Sequence, residues 1–379
     1  MIDSIGRGMP MRPVEQTSTC SASLPSSLAT AVFTSNLMTA APVLTSAAHL
    51  EATGGMANAV VLNSGNANAA TGAAGEEASR RTCAAVAGEL GGDAEHVLVC
   101  STGLIGIPLP IESIIAGVPA LVAARAADGG AAAAEAIRTT DTHRMETLVP
   151  VGAGTAVVGG MAKGAAMLAP NMATMLAVLT TDAAAEPHEL RDILRAAVST
   201  SFNVLVTDGC TSTNDTVILL ASGAAGPVSA EDLRVAVGQA CGDLAFQMAS
   251  DAEGATKVVR LVVTGAASDA DAEAGARKIA MSALCKCSWY GQDPYWGRLA
   301  SELGSAGIAF DQRRISVAYG DIVVAAGGIT VDHDQAAVAQ HMAGRHLEIT
   351  CDLGLGSGEA AVITNDLTHA YIDENMGTS

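Results

Sequence analysis

The amino-acid sequence predicts an α+β fold, with helices covering mixed and antiparallel sheets. Three observations carry that expectation. Apolar segments of strand length recur from Ala31 almost to the end of the chain. Segments of helical period fall between many of them. Several strands nevertheless follow one another directly, which a strict alternation of strand and helix does not allow. No stretch of the composition marks a linker between domains.

The elements follow in chain order. Residues 1–27 are rich in Pro, Ser and Thr and read as a loose polar lead-in. Strands are expected at Ala31–Asn36 and Ala59–Asn63. The turn Asn63-Ser-Gly-Asn-Ala-Asn68 follows, with residues that tolerate unusual backbone angles and cap helices. A helix is expected over Glu76–Leu90, then a short strand over Val97–Cys100. The strand enters the Gly-containing turn Ser101-Thr-Gly-Leu-Ile-Gly106. Helix is predicted from Ile111 to Ala126, broken or kinked at Pro119, and again from Ala131 to Ile137. A strand pair spans Thr147–Gly160 around Gly152-Ala-Gly154.

Met175-Leu-Ala-Val-Leu-Thr180 reads as a buried strand. Pro187 opens a helix that places Leu190, Ile193, Leu194, Ala197 and Val198 on one face. Strands Val204–Val206 and Val217–Leu220 flank the polar block Asp208–Thr216. So many hydroxyls and carboxylates between apolar strands are costly to bury unless hydrogen-bonded, so the block is either a satisfied turn or a site. Ser229 caps a helix to about Met248. Glu253 lies one turn past it, before the strand Val258–Val263. Helix is expected over Ala270–Met281, a strand over Leu284–Ser288, a further helix after Gly291, and hairpins over 314–325 and 346–365.

Composition narrows the classes of function. The chain has 379 residues, of which 49% are apolar and 16% charged, ample for one large core or two modest ones. The formal net charge of −19 repels phosphate, which argues against nucleic acid and anionic membranes as partners. The eight cysteines have no zinc-ribbon or redox spacing, and no histidine pattern suggests a metal. A free-thiol, cytoplasmic protein is expected. Cys285 and Cys287, on a strand, would share a face without forming a site. No Gly-rich phosphate loop is present. No apolar run reaches a membrane span uninterrupted, and Arg7 and Arg12 are not followed by a hydrophobic signal core.

The stretch Lys163-Gly-Ala-Ala-Met-Leu-Ala-Pro-Asn-Met-Ala-Thr174-Met-Leu176 is the candidate for chemistry. It is apolar on both sides, yet carries a Lys, an Asn and a Thr. Pro170 breaks any helical reading and places Thr174 where a loop enters the core. If the Ala173–Thr174 bond were cut, Thr174 would carry its hydroxyl beside a free α-amine, a self-contained nucleophile and base. The residues alone also permit a plain strand Thr and a solvated Lys.

This stretch resembles the self-cleavage segment of the ornithine acetyltransferase family, the bifunctional glutamate N-acetyltransferases. The similarity runs from about Ala31 to about Asn375, through Asn63–Asn68, Ser101–Gly106, Thr139-Thr-Asp-Thr142, Thr211-Ser-Thr-Asn-Asp-Thr216, Asp251-Ala-Glu-Gly-Ala-Thr-Lys257 and Gly291–Arg298. The resemblance implies a sandwich of helices around sheets, made of two intertwined self-cleaved chains, 1–173 and 174–379, assembled as an α2β2 heterotetramer. It implies an acetyl-Thr174 intermediate in arginine biosynthesis, accepting from N-acetylornithine and giving to glutamate. Carried over residue by residue, Thr102 and Gly103 form an oxyanion hole. Thr139, Lys163, Thr174, Glu253, Asn375 and Ser379 bind substrate. No cofactor is implied, although acetyl-CoA is left open as a second donor.

The chain departs from the family pattern in its opening residues, in His143-Arg144-Met145 where Pro-Lys is usual, at Tyr295 in place of Asn, and in a tail one residue shorter that lacks a Tyr, where Thr378 competes with Ser379. A self-cleaved amide hydrolase or aminopeptidase, with water as acceptor, is the alternative enzyme. A secondary-metabolism relative with another substrate and an inactive binding relative are the others.

Overall fold

In the computed structural model, described residues comprise 18–20 (backbone only), 26–166 and 175–376. Most of the lead-in lies outside them. The chain forms two compact units. The first takes the described residues up to Gly164, those from 175 to Ser201, and Ser212–Leu244. The second takes Ala165, Ala166, Phe202–Thr211 and the described residues from Ala245 onward. No helix among the described residues is long and apolar enough to cross a membrane.

The first unit contains two sheets. A three-stranded sheet is ordered β1 (Ser18–Cys20), β4 (Ala59–Asn66), β5 (Val97–Leu104). The other has six strands, in the order β3 (Met56–Ala57), β2 (Ser27–Phe33), β10 (Thr216–Pro227), β8 (Leu176–Ala184), β7 (Ala156–Lys163), β6 (Met145–Val151). β8 sits between a parallel neighbour, β10, and an antiparallel one, β7. A strand covered on both faces must be apolar throughout, which is why Leu-Ala-Val-Leu reads as a continuous run. Leu98 and Cys100 of β5 share a core with Met161, Leu176, Val178 and Ile218. Val97 and Val99, pointing the other way, pack with Val61, Cys83 and Val86.

Four helices complete this unit's frame around those sheets: α1 (Ala41–Ala52), α2 (Gly72–Leu90), α3 (Ile111–Ala123) and α4 (Gly130–Ala136). α1 escaped sequence reading because its apolar pattern is weak. Its buried Ser46 explains its place: the hydroxyl donates to Val99 O and accepts from Val99 N, both at 2.8 Å. α3 runs through Pro119 without a break, correcting that expectation. One missing N–H is tolerated where Ile114 and Val118 anchor the helix in the core. α5 (Pro187–Ser199) buries the five residues expected, and Glu186 and Glu189 close a capping box at its start.

The second unit is built on a seven-stranded sheet in the order β14 (Ile329–Thr330), β13 (Ile322–Ala326), β12 (Ser316–Tyr319), β15 (His346–Asp352), β11 (Val258–Ala266), β16 (Gly358–Asn365), β9 (Leu205–Val206). Its core holds Trp289, Leu303, Tyr319, Ile349 and Val263. Residues 346–365 are not a hairpin, since β11 inserts between β15 and β16, parallel to one and antiparallel to the other. The sequence expectation missed this because the inserted strand comes from nearly a hundred residues earlier.

Residues 284–288 are not a strand either. They belong to α8 (Ala283–Tyr290), started by Ser282, whose hydroxyl accepts from Cys285 N at 3.3 Å. Helical period therefore splits Cys285, buried, from Cys287, exposed. The seven cysteines with described side chains are all free thiols. The helix α6 (Ala230–Ser250) begins as expected at Ser229, whose hydroxyl accepts from Asp232 N at 3.2 Å. α7 (Asp269–Ala280), α9 (Trp296–Gly304), α10 (Gln335–Ala343) and α11 (His369–Asn375) complete the element order.

Candidate active site

In the first unit, polar side chains gather at one end of the six-stranded sheet. β7 ends at Lys163, β8 begins at Leu176 and β10 begins at Thr216, and these three residues stand side by side in register. Lys163 is only 2% exposed. Its ammonium donates to Thr139 Oγ1 at 2.7 Å and lies 3.3 Å from Asp141 Oδ2. Asp141 also accepts from Gly164 N at 2.6 Å and from Thr139 N at 3.0 Å. Burial pushes the Asp141 carboxyl up, but the Lys163 charge and these N–H groups outweigh it and hold it below the usual carboxylate range. Thr139 and Lys163, paired in the sequence argument only by resemblance, are thus in direct contact, and Asp141 is the residue that argument passed over.

Asp215 is the second carboxylate missed. It is fully buried, and its Oδ1 accepts from Met175 N at 2.8 Å. Oδ2 meets no described residue at full hydrogen-bond geometry, although the Ser212 hydroxyl lies close enough to the carboxyl to favour its charged form. Burial drives its pKa well above the usual range, more strongly than Met175 N–H, the Ser212 hydroxyl and the Lys163 charge pull it down. Gly164, just past the end of β7, and Met175, just before β8, are therefore each hydrogen-bonded to a buried Asp. The rest of the Asp208–Thr216 block works as a frame, as Asn214 Nδ2 donates to Ala67 O at 2.7 Å and Ser101 O at 2.8 Å, tying the ends of β4 and β5 together.

Thr102 continues the face of β5 that carries Leu98 and Cys100 into the shared core. It is 1% exposed, and its hydroxyl has no hydrogen-bond partner among the described residues. Gly103 is not in a turn, contrary to expectation: β5 extends to Leu104, with Gly103 opposite Gly65 of β4. Its φ is +130°, and an added Cβ would lie 2.3 Å from Gly65 C. The two strands approach too closely for any side chain, so the glycine is required by β4 whatever its N–H does. The Asn63–Asn68 segment is likewise scaffold. Asn66 Nδ2 donates to Ile107 O, while Asn68, at φ +48°, donates to Gly75 O and Ser79 Oγ.

In the second unit, Glu253 is 8% exposed and its Oε2 accepts from Asn375 Nδ2 at 2.7 Å. Its N–H donates to Ala165 O at 2.9 Å. The adjoining loop is firmly held. Asp366 accepts from Thr256 N and Lys257 N, both at 2.9 Å. Asn365 Nδ2 bonds Ala249 O at 2.8 Å and Lys257 O at 3.1 Å. Lys257 spends its ammonium on the carbonyls of Met342, Ala343 and Gly344 at the end of α10, a helix cap and not a substrate contact. Gly254, at φ +62°, lets α11 come close enough that an added Cβ would sit 2.3 Å from Tyr371 N. That approach delivers Asn375 to Glu253. Ala173, Thr174, Thr378 and Ser379 lie outside the described residues.

The first unit thus holds a buried Lys–Asp pair, a buried carboxyl with a raised pKa and a Thr hydroxyl without a partner among the described residues, and the second unit, by itself, holds a carboxylate–amide pair. The ArgJ family's sequence model matches residues 15–377, and the chain belongs to that family. It is an acyltransferase of arginine biosynthesis. The arginine biosynthesis bifunctional protein ArgJ of Thermobifida fusca is 49% identical over 353 residues, covering 93% of this chain and 90% of its own. The ArgJ protein of Mycolicibacterium paratuberculosis is 47% identical over 359 residues, covering 93% and 87%. Among solved structures, the Bacillus halodurans ArgJ crystal structure is 34% identical with a TM-score of 0.50, covering 52% of this chain and 96% of that one.

Proposed function

We propose that the protein moves an acetyl group from N-acetylornithine to glutamate through an ester on Thr174, after cutting itself between Ala173 and Thr174. The observation that carries this reading is the arrangement at the end of β7 and the start of β8. Buried carboxyls hold Gly164 and Met175, with the Lys163 ammonium and, in the same unit, a Thr102 hydroxyl that has no partner among the described residues. The crystal chain from Bacillus halodurans adds support. Its coverage, 52% of 379 residues against 96% of its own length, corresponds to a chain of about 205 residues. The segment 174–379 would have 206, the 379 residues less 173.

The chemistry follows from the freed residue. The Thr174 amine takes the hydroxyl proton as Oγ attacks the acetyl carbon. Thr102 and the Gly103 N–H donate to the oxyanion, the C–N bond breaks, and ornithine leaves with the proton. The glutamate amine then attacks the ester, and Oγ regains its proton. Thr139 and Lys163 hold the reacting end, Glu253 holds the substrate's ammonium, and Asn375 with Ser379 holds its carboxylate. No cofactor is needed. Acetyl-CoA as a second donor, an α2β2 assembly and a cytoplasmic location complete the proposal.

The test is mass spectrometry of purified protein with and without N-acetylornithine. Expected are fragments 1–173 and 174–379, with one acetyl group gained on the second alone, and parallel double-reciprocal lines against glutamate. A whole chain with full activity, or intersecting lines with no acetylated fragment, would overturn the reading. Release of acetate without glutamate would make the enzyme a hydrolase.

A further inference from the structure

We infer that Lys286 is a positioning residue for substrate binding: from α8 it fixes the connection 364–368, and that connection sets Glu253 and Asn375 against each other. The inference rests on the reading that Glu253 and Asn375 hold the substrate's ammonium and carboxylate. Every residue it uses lies in the second unit. In the sequence Lys286 is one basic residue between two cysteines, and nothing in the spacing marks it.

The physical case begins with where the lysine points. Lys286 is buried, although its neighbour Cys287 on the same helix is exposed. Its ammonium donates to Thr364 Oγ1 at 3.1 Å and to Asn365 O. Its own carbonyl accepts from Leu367 N at 3.4 Å. α8 therefore holds the connection at 364, 365 and 367 through this one residue. Thr364 and Asn365 are buried themselves, so their inward-facing oxygens need donors from the protein. The Thr364 hydroxyl passes its own proton on to Ala280 O at 3.3 Å, at the end of α7.

The connection in turn grips the loop that carries Glu253. Asn365 Nδ2 bonds Ala249 O and Lys257 O, one on either side of Glu253, while its Oδ1 accepts from Thr207 Oγ1 at 3.0 Å. Asp366 takes the N–H groups of Thr256 and Lys257. Thr368 Oγ1 donates to Gly254 O at 2.7 Å, at the residue next to Glu253. The same hydroxyl accepts from Tyr371 N at 3.1 Å and so caps α11, whose last residue is Asn375. One short connection thus places both ends of the Glu253–Asn375 hydrogen bond.

Packing alone does not call for a lysine here. A methionine of similar length would fill the space without a charge to desolvate. Burial pulls the Lys286 pKa down to about 8, against the pull of Asp366 and Asp208, so the ammonium sits there at a cost to stability. What it supplies is a donor shared by Thr364 and Asn365, at the turn from which the loop and α11 both hang.

The test is calorimetric binding of glutamate and of ornithine to the purified protein, with steady-state kinetics alongside. Neither ligand carries an acetyl group, so neither reacts alone. Lys286→Met should raise both Kd values about tenfold, while kcat stays within about threefold, the pattern of binding lost equally from ground and transition states. In a Glu253→Gln background the same change should add less than about twofold, because both act through one contact. If the methionine variant does not fold, Thr368→Val breaks the last link of the same chain at nearly equal volume, and the same joint loss and the same non-additivity are expected. Wild-type Kd values in whichever variant folds would overturn the inference. So would a loss confined to one ligand, or a full tenfold loss on top of Glu253→Gln. Unchanged binding in Glu253→Gln alone fails the reading of Glu253 and takes the inference with it, so that single variant distinguishes the two failures.

Discussion

Replacing Asp141 by Ala should destabilise the first unit by about 3–5 kcal/mol, the usual cost of leaving one member of a buried ion pair alone. The structure supports the upper part of that range. Lys163 and Asp141 stand 3.3 Å apart with side chains 3% and 0% exposed. At an effective dielectric constant of about 20 their attraction is on the order of 5 kcal/mol. Removing the carboxylate also orphans the N–H groups of Thr139 and Gly164, each worth roughly 1–3 kcal/mol when buried. Lys163→Met should cost less, because Asp141 keeps both N–H donors. The double variant should cost less than the sum, with a coupling of roughly 1–3 kcal/mol. The assay is urea unfolding followed by far-UV circular dichroism, with Trp fluorescence as a second probe. Both tryptophans, Trp289 and Trp296, belong to the second unit, so a lesion in the first should move the dichroism curve more than the fluorescence curve. Additivity within about 0.5 kcal/mol, or an alanine variant with an unmoved dichroism curve, would refute the buried pair as the element that holds Lys163.

Two further outcomes are expected. Thr102→Ala should lower kcat about 100- to 1,000-fold if its hydroxyl serves the oxyanion, while the unfolding midpoint stays in place because that hydroxyl has no described partner to lose. An unchanged kcat would remove the side chain from this role. Lys286, which donates to Thr364 Oγ1 and Asn365 O, has its pKa lowered from 10.5 to about 8, chiefly by burial and against the pull of Asp366 and Asp208. The folded value lies below the unfolded one, so this contribution to stability is present above pH 10.5 and is lost as pH falls to about 8. Wild type should therefore gain on the order of 3 kcal/mol over Lys286→Met across that window in pH-dependent unfolding, and a flat difference would exclude it.

Much of the frame was legible because it is local. The face of α5 follows from five apolar residues at helical spacing behind a Pro, and β8 from an unbroken apolar run. Errors arose where distant chain decides the outcome. The segment 284–288 alternates like a strand, but a Ser cap and burial of Trp289 make it a helix. β15 and β16 look like a hairpin until β11 separates them. At the site, resemblance pointed to Thr139, Lys163, Glu253 and Asn375, and the structure pairs the first two and the last two. Asp141 and Asp215 were passed over because an acid in a polar run looks solvated. Only the fold shows that both are buried. The available signal was indirect: a Lys between apolar strands needs a counter-ion, and Asp141 is an acid ahead of a strand that pairs with its own.

The two aspartates explain each other. They are the same residue type in one unit, and each accepts a backbone N–H, one at the end of β7 and one at the start of β8. They differ in what else they meet. Asp141 has a lysine at 3.3 Å and a second N–H, which is enough to keep it ionised despite burial. Asp215 has no ion-pair partner among the described residues and feels Lys163 only at a distance, so burial prevails and pushes its pKa well above the usual carboxylate range. Two carboxyls driven apart in this way commonly divide the labour of a site. Here one holds the Lys163 ammonium and the other holds the Met175 N–H. Lys163→Met tests that dependence directly. Without the ammonium, the pKa of Asp141 should rise, because its charged neighbour is gone, while that of Asp215 should rise further from an already raised value. Carboxyl titration followed by infrared difference spectroscopy separates the two, and a variant in which neither moves would sever the link between the Lys163–Asp141 pair and Asp215.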